Sequence, residues 1–349
     1  MTSVLTGFAA RLRGLVNGVR LLRPRTLARL VKSGEDDRRQ LHELAQSVKD
    51  LHDELATVRR RERQLRAIAL ADAALERKSR RLERILQPDA IAAHVTAALA
   101  AAPLRDDPFP YAVVDDLLPA AFYDALIEGL PPAELFSDRA INKQQLIVPL
   151  ELGPAYSRRV WGFMADTVVP EMIAPAVLEK FRAHATAWLT HNFPAAGDDP
   201  MGAIAMTCSD GRILLRRPGY YIPPHRDPKW GFLTCLMYLA RPGDSERWGT
   251  QLHRVAGDEE ARGAQPHWID EQRCEPVEHI AFRRNRALIF LNSVGAHSAR
   301  IPGDADPPTL ERYAYQFRIG AGAHAIRMLV DGLPAERRGL WAGKATPTY

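Results

Sequence analysis

Cysteine is scarce in this sequence. Its three residues, Cys208, Cys235 and Cys274, are odd in number and far apart, which argues against a disulfide framework and against a CxxC zinc site. They fit a reducing compartment, so a cytoplasmic location is expected. Long hydrophobic runs are missing as well: none approaches the ~20 residues needed to cross a bilayer. Arg11 and Arg13 interrupt any apolar stretch that a secretory signal would require. Acidic residues are absent from positions 1–33, where Arg11, Arg13, Arg20, Arg23, Arg25, Arg29 and Lys32 stand. Those seven cations exceed the net charge of +5 and leave the rest of the chain at −2. Basicity therefore belongs to the N-terminus; it lends no support to a nucleic-acid-binding body, and no nucleic-acid partner is expected. Internal repeats are lacking too.

What is present is ordinary for a globular protein: 349 residues, 46% apolar and 26% charged, enough for one large or two ordinary domains. Three regions follow from the pattern. Residues 1–33 form a basic amphipathic segment, with Leu5, Phe8, Leu12, Leu15, Val19 and Leu22 at helical spacing over 3–23 and Pro24 expected to end or kink it. Such a helix can lie on an anionic membrane surface, or pack on protein; both readings stand. Residues 34–88 read as a coiled-coil helix. Leu41, Val48 and Leu55 take heptad position a, and Leu44, Leu51, Val58 and Leu65 take position d. The register then slips, and Ile68, Leu75 and Leu82 continue the repeat one residue early. Over 36–86 this predicts a homo-oligomeric stalk, against a helix folded back on the globular body.

Residues 89–349 are the globular domain. An Ala-rich helix is expected over 89–102, a strand over 111–116, and a helix from Pro119 to Leu130. Residues 155–192 are helical in pattern with a break at Val168 to Pro170, and the tail from Gly320 yields no element. From Gly202 to Ile319 the pattern becomes short β runs between Gly, Pro and Asp turns: RILLR, FLTCLMYL, TQLHRV, HIAF, ALIFLN and RYAYQFRI. An α+β fold with a sandwich or jelly-roll core is predicted.

Within it, His225 and Asp227 are two positions apart, and on a strand they point to one face. Two ligands on one face are part of a 2-His-1-carboxylate triad, which leaves open positions on Fe(II). His297, 70 residues beyond Asp227 and at the end of an apolar run and a turn, is the candidate third ligand. Taken singly, each residue has a plainer role: a turn pair, a satisfied buried histidine. His253, His267, Cys274 and His279 match no zinc spacing and are discounted. Tyr220, Tyr221 and Trp230 either line a pocket or pack as aromatic core.

The runs HRDPKWGFLTCLMYL, WGTQLHRV, RALIFLNSVGAHSARI and ERYAYQFRIG, in that order, resemble the Fe(II)/2-oxoglutarate oxygenases, most closely their prolyl-hydroxylase-like branch. The likeness covers about 108–320. It implies a double-stranded β-helix (jelly-roll, cupin-like) core with buttressing helices. It also implies iron held by His225, Asp227 and His297, with Arg312 and the phenol of Tyr238 on the distal carboxylate of 2-oxoglutarate. Arg312 follows His297 by 15 residues, a longer gap than the family usually shows, so Arg300 and Arg318 stay as alternatives. The implied activity is hydroxylation of an unidentified peptidyl side chain or small molecule, with succinate and CO₂ released and ascorbate as a candidate reductant. A different class of reading is a non-catalytic jelly-roll module on a coiled-coil stalk, acting as an assembly or membrane adaptor.

Overall fold

A computed structural model describes residues 24–137, 144–197, 199–227, 230–258, 268–292, 294–307 and 309–341. The amphipathic segment expected over 3–23 lies outside them. The chain divides into two compact units, 1–65 and 66–349. A helix is described over Pro24–Ser79. In the first unit its heptad residues Leu41, Leu44, Val48, Leu51, Leu55, Val58 and Leu65 are 47% to 67% exposed. No described helix is long and apolar enough to cross a membrane.

The second unit opens with the end of that helix, which packs on the body. Past the register slip, Leu75 packs on the core and Leu82 is fully buried. Lys78 Nζ donates to Glu128 Oε1 (2.8 Å), and the Ala155 backbone N–H donates to Asp72 Oδ1 (2.6 Å). The slip turns the apolar seam, so residues 66–86 belong to the globular body rather than to a stalk.

The strands are β1 Leu104–Arg105, β2 Tyr111–Val114, β3 Gln144–Gln145, β4 Met206–Arg216, β5 Tyr221–His225, β6 Leu233–Tyr238, β7 Thr250–Val255, β8 Cys274–Ile280, β9 Ala287–Leu291, β10 Ala296–Arg300 and β11 Arg312–Ala321. They form two antiparallel sheets. One has the order β1-β2-β9-β6-β11-β4-β3, the other β5-β10-β7-β8. Period-two alternation sorts their side chains. Ile213 and Leu215 of β4, Cys235 and Met237 of β6, and Tyr313, Tyr315 and Phe317 of β11 face the helices in the main core. The alternate residues face the smaller sheet, where Tyr238, Leu288 and Phe290 pack against Leu252, Ile280 and Phe282.

The helical layer departs from expectation at two places. Pro170 does not break the chain between the helices Ala155–Phe163 and Ala174–Lys180; a π-helical stretch, Met164–Ile173, carries it through. Proline has no N–H to give an α-helical bond, and the wider winding tolerates its ring. The tail, expected to lack elements, forms helices Ala323–Asp331 and Ala335–Trp341. Leu329 of the first and Leu333 in the turn between them are buried, and Trp341 packs between Trp188, Phe193 and Trp230. Trp230 is thus core, not pocket.

Candidate functional site

His225 ends β5, and His297 lies directly opposite it on β10. Their rings are 4.2 Å apart between centroids, and Phe290 packs on His297 at 4.7 Å. His225 Nδ1 is 2.9 Å from the Pro223 carbonyl. That bond places the proton on Nδ1 and leaves the Nε2 lone pair for a metal. Asp227 falls two residues past the end of β5, so strand alternation alone does not position it.

Side chains of the larger sheet hold it instead. Thr234 Oγ1 donates to Asp227 Oδ2 (2.7 Å), Gln316 Nε2 donates to the same oxygen (3.1 Å), and Arg318 Nη2 donates to Oδ1 (3.1 Å). Burial alone would raise the Asp227 carboxyl. Arg318 first, then His297, His225 and the Thr234 hydroxyl, outweigh it and hold the group well below the usual carboxylate range. Ligand atoms of His225, Asp227 and His297 lie within 4.8 Å of one another, and all three residues are buried. Among the described residues this is the one group of acids, histidines or cysteines that could hold a metal ion. Two imidazoles and a committed carboxylate suit Fe(II), and the residues fit it.

Between the two ligands, Arg226 points the other way. Its Nε donates to the Gly295 carbonyl (2.7 Å) and its Nη2 pairs with Asp258, whose Oδ2 accepts from the Gly295 N–H (2.7 Å). Gly295 has φ +60, and a Cβ there would meet Phe109 Cδ1 at 1.9 Å, so only glycine fits this turn two residues before His297. Asn292 donates to the Gly231 carbonyl, and its Oδ1 is 3.0 Å from Thr234 Oγ1. It ties the loop ahead of β6 to the end of β9.

A cavity runs from the triad to the start of β11, where Arg312 lines it. Arg312 is 4% exposed, its Nε has no hydrogen-bond partner, and no carboxylate pairs with it among the described residues. Its guanidinium stacks on Phe282 and Tyr238, 4.9 and 5.3 Å from the ring centroids. Burial pulls its pKa down, against the opposing pull of Tyr238 and Tyr220. Of the other two arginines considered, Arg318 is committed to Asp227, while Arg300 is exposed over the Tyr221 ring and does not line this cavity.

Tyr238 is fully buried and does not line the cavity; its hydroxyl lies 2.8 Å from Thr250 Oγ1, and Thr250 forms the wall. Gln316 lines the cavity on the same face of β11 as Arg312, as alternation predicts, and Thr250, Arg212 and Arg216 are cavity residues that the sequence did not single out. Period two along β4 was the available signal for the two arginines. Tyr220 lines the cavity, stacked under Arg216 at 4.7 Å, whereas Tyr221 is 40% exposed.

No family model matches the chain, and no curated protein matches its sequence. Solved structures similar to it include 2-oxoglutarate oxygenases. A prolyl-4-hydroxylase from Pseudomonas putida is 14% identical at a TM-score of 0.36, covering 67% of this chain and 100% of that one. SnoN, a non-heme α-ketoglutarate-dependent epimerase from nogalamycin biosynthesis, is 16% identical at 0.36, covering 71% and 91%. HygX from Streptomyces hygroscopicus, solved with nickel, 2-oxoglutarate and hygromycin B bound, is 11% identical at 0.36, covering 61% and 83%. These likenesses are distant, and the chemistry of the site is read from its own residues.

Proposed function

We propose that the protein is an Fe(II)- and 2-oxoglutarate-dependent oxygenase that hydroxylates an unidentified substrate, a peptidyl side chain or a small molecule. The observation that carries this is a buried guanidinium, Arg312, without a counter-ion among the described residues, in the same cavity as a buried His-Asp-His triad. A buried cation is costly unless paired. A dicarboxylate reaching from the triad to Arg312 supplies the partner. The strand order supports a double-stranded β-helix: from β4 to β11 the chain passes between the two sheets, four strands in each.

In this reading His225, Asp227 and His297 hold Fe(II), which with 2-oxoglutarate and O₂ supplies the oxidant for C–H hydroxylation, succinate and CO₂ being the co-products. Arg312 takes the distal carboxylate through its planar fork, with Thr250 Oγ1 beside it in turn held by Tyr238. Arg318, Gln316 and Thr234 keep Asp227 deprotonated and aimed. The non-catalytic adaptor reading leaves Arg312 without a reason to be buried.

Anaerobic titration of the Fe(II)-loaded protein with 2-oxoglutarate is the test. Losing a buried charge-assisted pair costs about 2–5 kcal/mol, so Arg312→Ala is expected to weaken binding roughly 30- to several-thousand-fold with Fe(II) retained. Arg312→Lys recovers only part, since an ammonium lacks the fork. Arg300→Ala leaves the curve unchanged. An unaltered Arg312→Ala curve removes the assignment.

A further inference from the structure

Where the β5–β10 ladder stops, side chains take over from backbone. Its last pair at this end is His225 with His297, and two more residues in register would set Asp227 opposite Gly295. Asp227 lies past the end of β5, so the ladder does not reach the step between the first histidine and the carboxylate. A closed ring of three hydrogen bonds reaches it instead. Arg226 Nε donates to the Gly295 carbonyl (2.7 Å), the Gly295 N–H donates to Asp258 Oδ2 (2.7 Å), and Asp258 Oδ1 accepts from Arg226 Nη2. Both polar groups of the Gly295 backbone are used, and the two formal charges cancel within the ring. Asp258 comes from a third place, three residues past the end of β7. The ring therefore joins the exit of β5, the exit of β7 and the entry of β10.

Its members leave little play. The Arg226 side chain is buried and that of Asp258 largely so. Gly295 sits in left-handed backbone against the Phe109 ring, where a Cβ does not fit. Arg226 stands between His225 and Asp227 in the chain, so a shift of its backbone moves both ligands. Gly295 precedes His297 by two residues, and a turn that relaxes there tilts the third. Ligands must be held to about half an ångström to bind an ion well, and charge-assisted bonds are short and directional enough to do so.

We propose that Arg226 and Asp258 are positioning residues of the metal site. Through Gly295 they fix the spacing between the His225–Asp227 segment and His297, so that metal affinity depends on an ion pair aimed away from the ion. This rests on the triad holding a metal, as in the oxygenase reading, but it needs neither 2-oxoglutarate nor turnover to be tested.

Full-length protein is titrated with Co(II), a spectroscopic stand-in for Fe(II), against a competing chelator. Asp258→Asn keeps the shape and removes the charge; it is expected to weaken Co(II) binding roughly 10- to 100-fold, the usual reach of a partner behind a metal ligand, and to shift the visible ligand-field band. Arg226→Met does the same. Arg226→Lys, which keeps the charge but cannot span Gly295 and Asp258 together, falls between it and the wild type. Arg286→Met breaks another arginine–aspartate pair, Arg286 with Asp115, at the opposite end of β9 from Gly295. It should lower stability in urea while leaving Co(II) affinity and band unchanged. The wild type gives a reading that needs no variant to fold: by reciprocity, Zn(II) should slow exchange of the Gly295 amide. Unaltered affinity and band in Asp258→Asn and Arg226→Met, or a Gly295 amide indifferent to the metal, overturns the proposal. So does an equal loss in Arg286→Met, which makes the effect one of stability alone. If His225→Ala binds Co(II) as tightly as the wild type, the triad is not the metal site, and the ring's role falls together with the oxygenase reading; the other outcomes remove the ring's role alone.

Discussion

At the scale of single residues, Asp227 and Arg318 are the most exposed to test. Both are almost fully buried and each neutralises the other. Asp227→Ala should cost the metal-free protein about 3–5 kcal/mol, because it strands a buried guanidinium. Urea unfolding in chelator measures this, and adding Arg318→Met should return part of the loss. A cost below about 1 kcal/mol means that water reaches Arg318 and the pair is not buried in solution. His225→Ala and His297→Ala remove ligands without stranding a charge, so they should abolish Fe(II) binding at smaller cost. The His225–Asp227 spacing was legible from alternation, yet the structure takes Asp227 off the strand and fixes it with Thr234, Gln316 and Arg318. Those partners sit on strands up to 91 positions away, and local pattern carries no register between strands. Thr250 was hidden for the same reason: it meets Tyr238 only because the two sheets face each other.

At the scale of elements, the long helix changes role at its register slip. Before it, seven heptad side chains are open to solvent; after it, Leu75 and Leu82 are claimed by the body. We propose that the exposed seam pairs with copies of itself. An isolated helix with an uncovered apolar stripe gains little by ordering alone. Sedimentation should find the full chain oligomeric and a chain beginning at Arg66 monomeric. A chain beginning at Pro88 should also be monomeric but less stable by about 2–5 kcal/mol, since it loses buried Leu82. Monomers throughout would sink the pairing. The heptads and the slip were both readable; what the slip meant was not, because a seam does not name its partner. The tail helices were missed because each is short, nine and seven residues, too few turns for a helical period to stand out.

At the scale of the whole second unit, the two-sheet plan and the order of the motifs were visible as short β runs, and the pairing of sheets was not. One feature of that pairing has a mechanical result. His225 and His297 belong to the four-stranded sheet, whereas Asp227 is moored by side chains of β6 and β11 in the seven-stranded one. An ion bound by all three is a rivet through both layers. Ligand binding stabilises the folded state in proportion to its affinity, and here the gain is spent on keeping the layers from parting. Amide hydrogen exchange should register it: chelation should quicken exchange in β5 and β10 and equally in β6 and β11, while the Pro88–Ala101 helix stays as slow as before. Quickening confined to the smaller sheet would mean that the layers are held by their apolar filling alone.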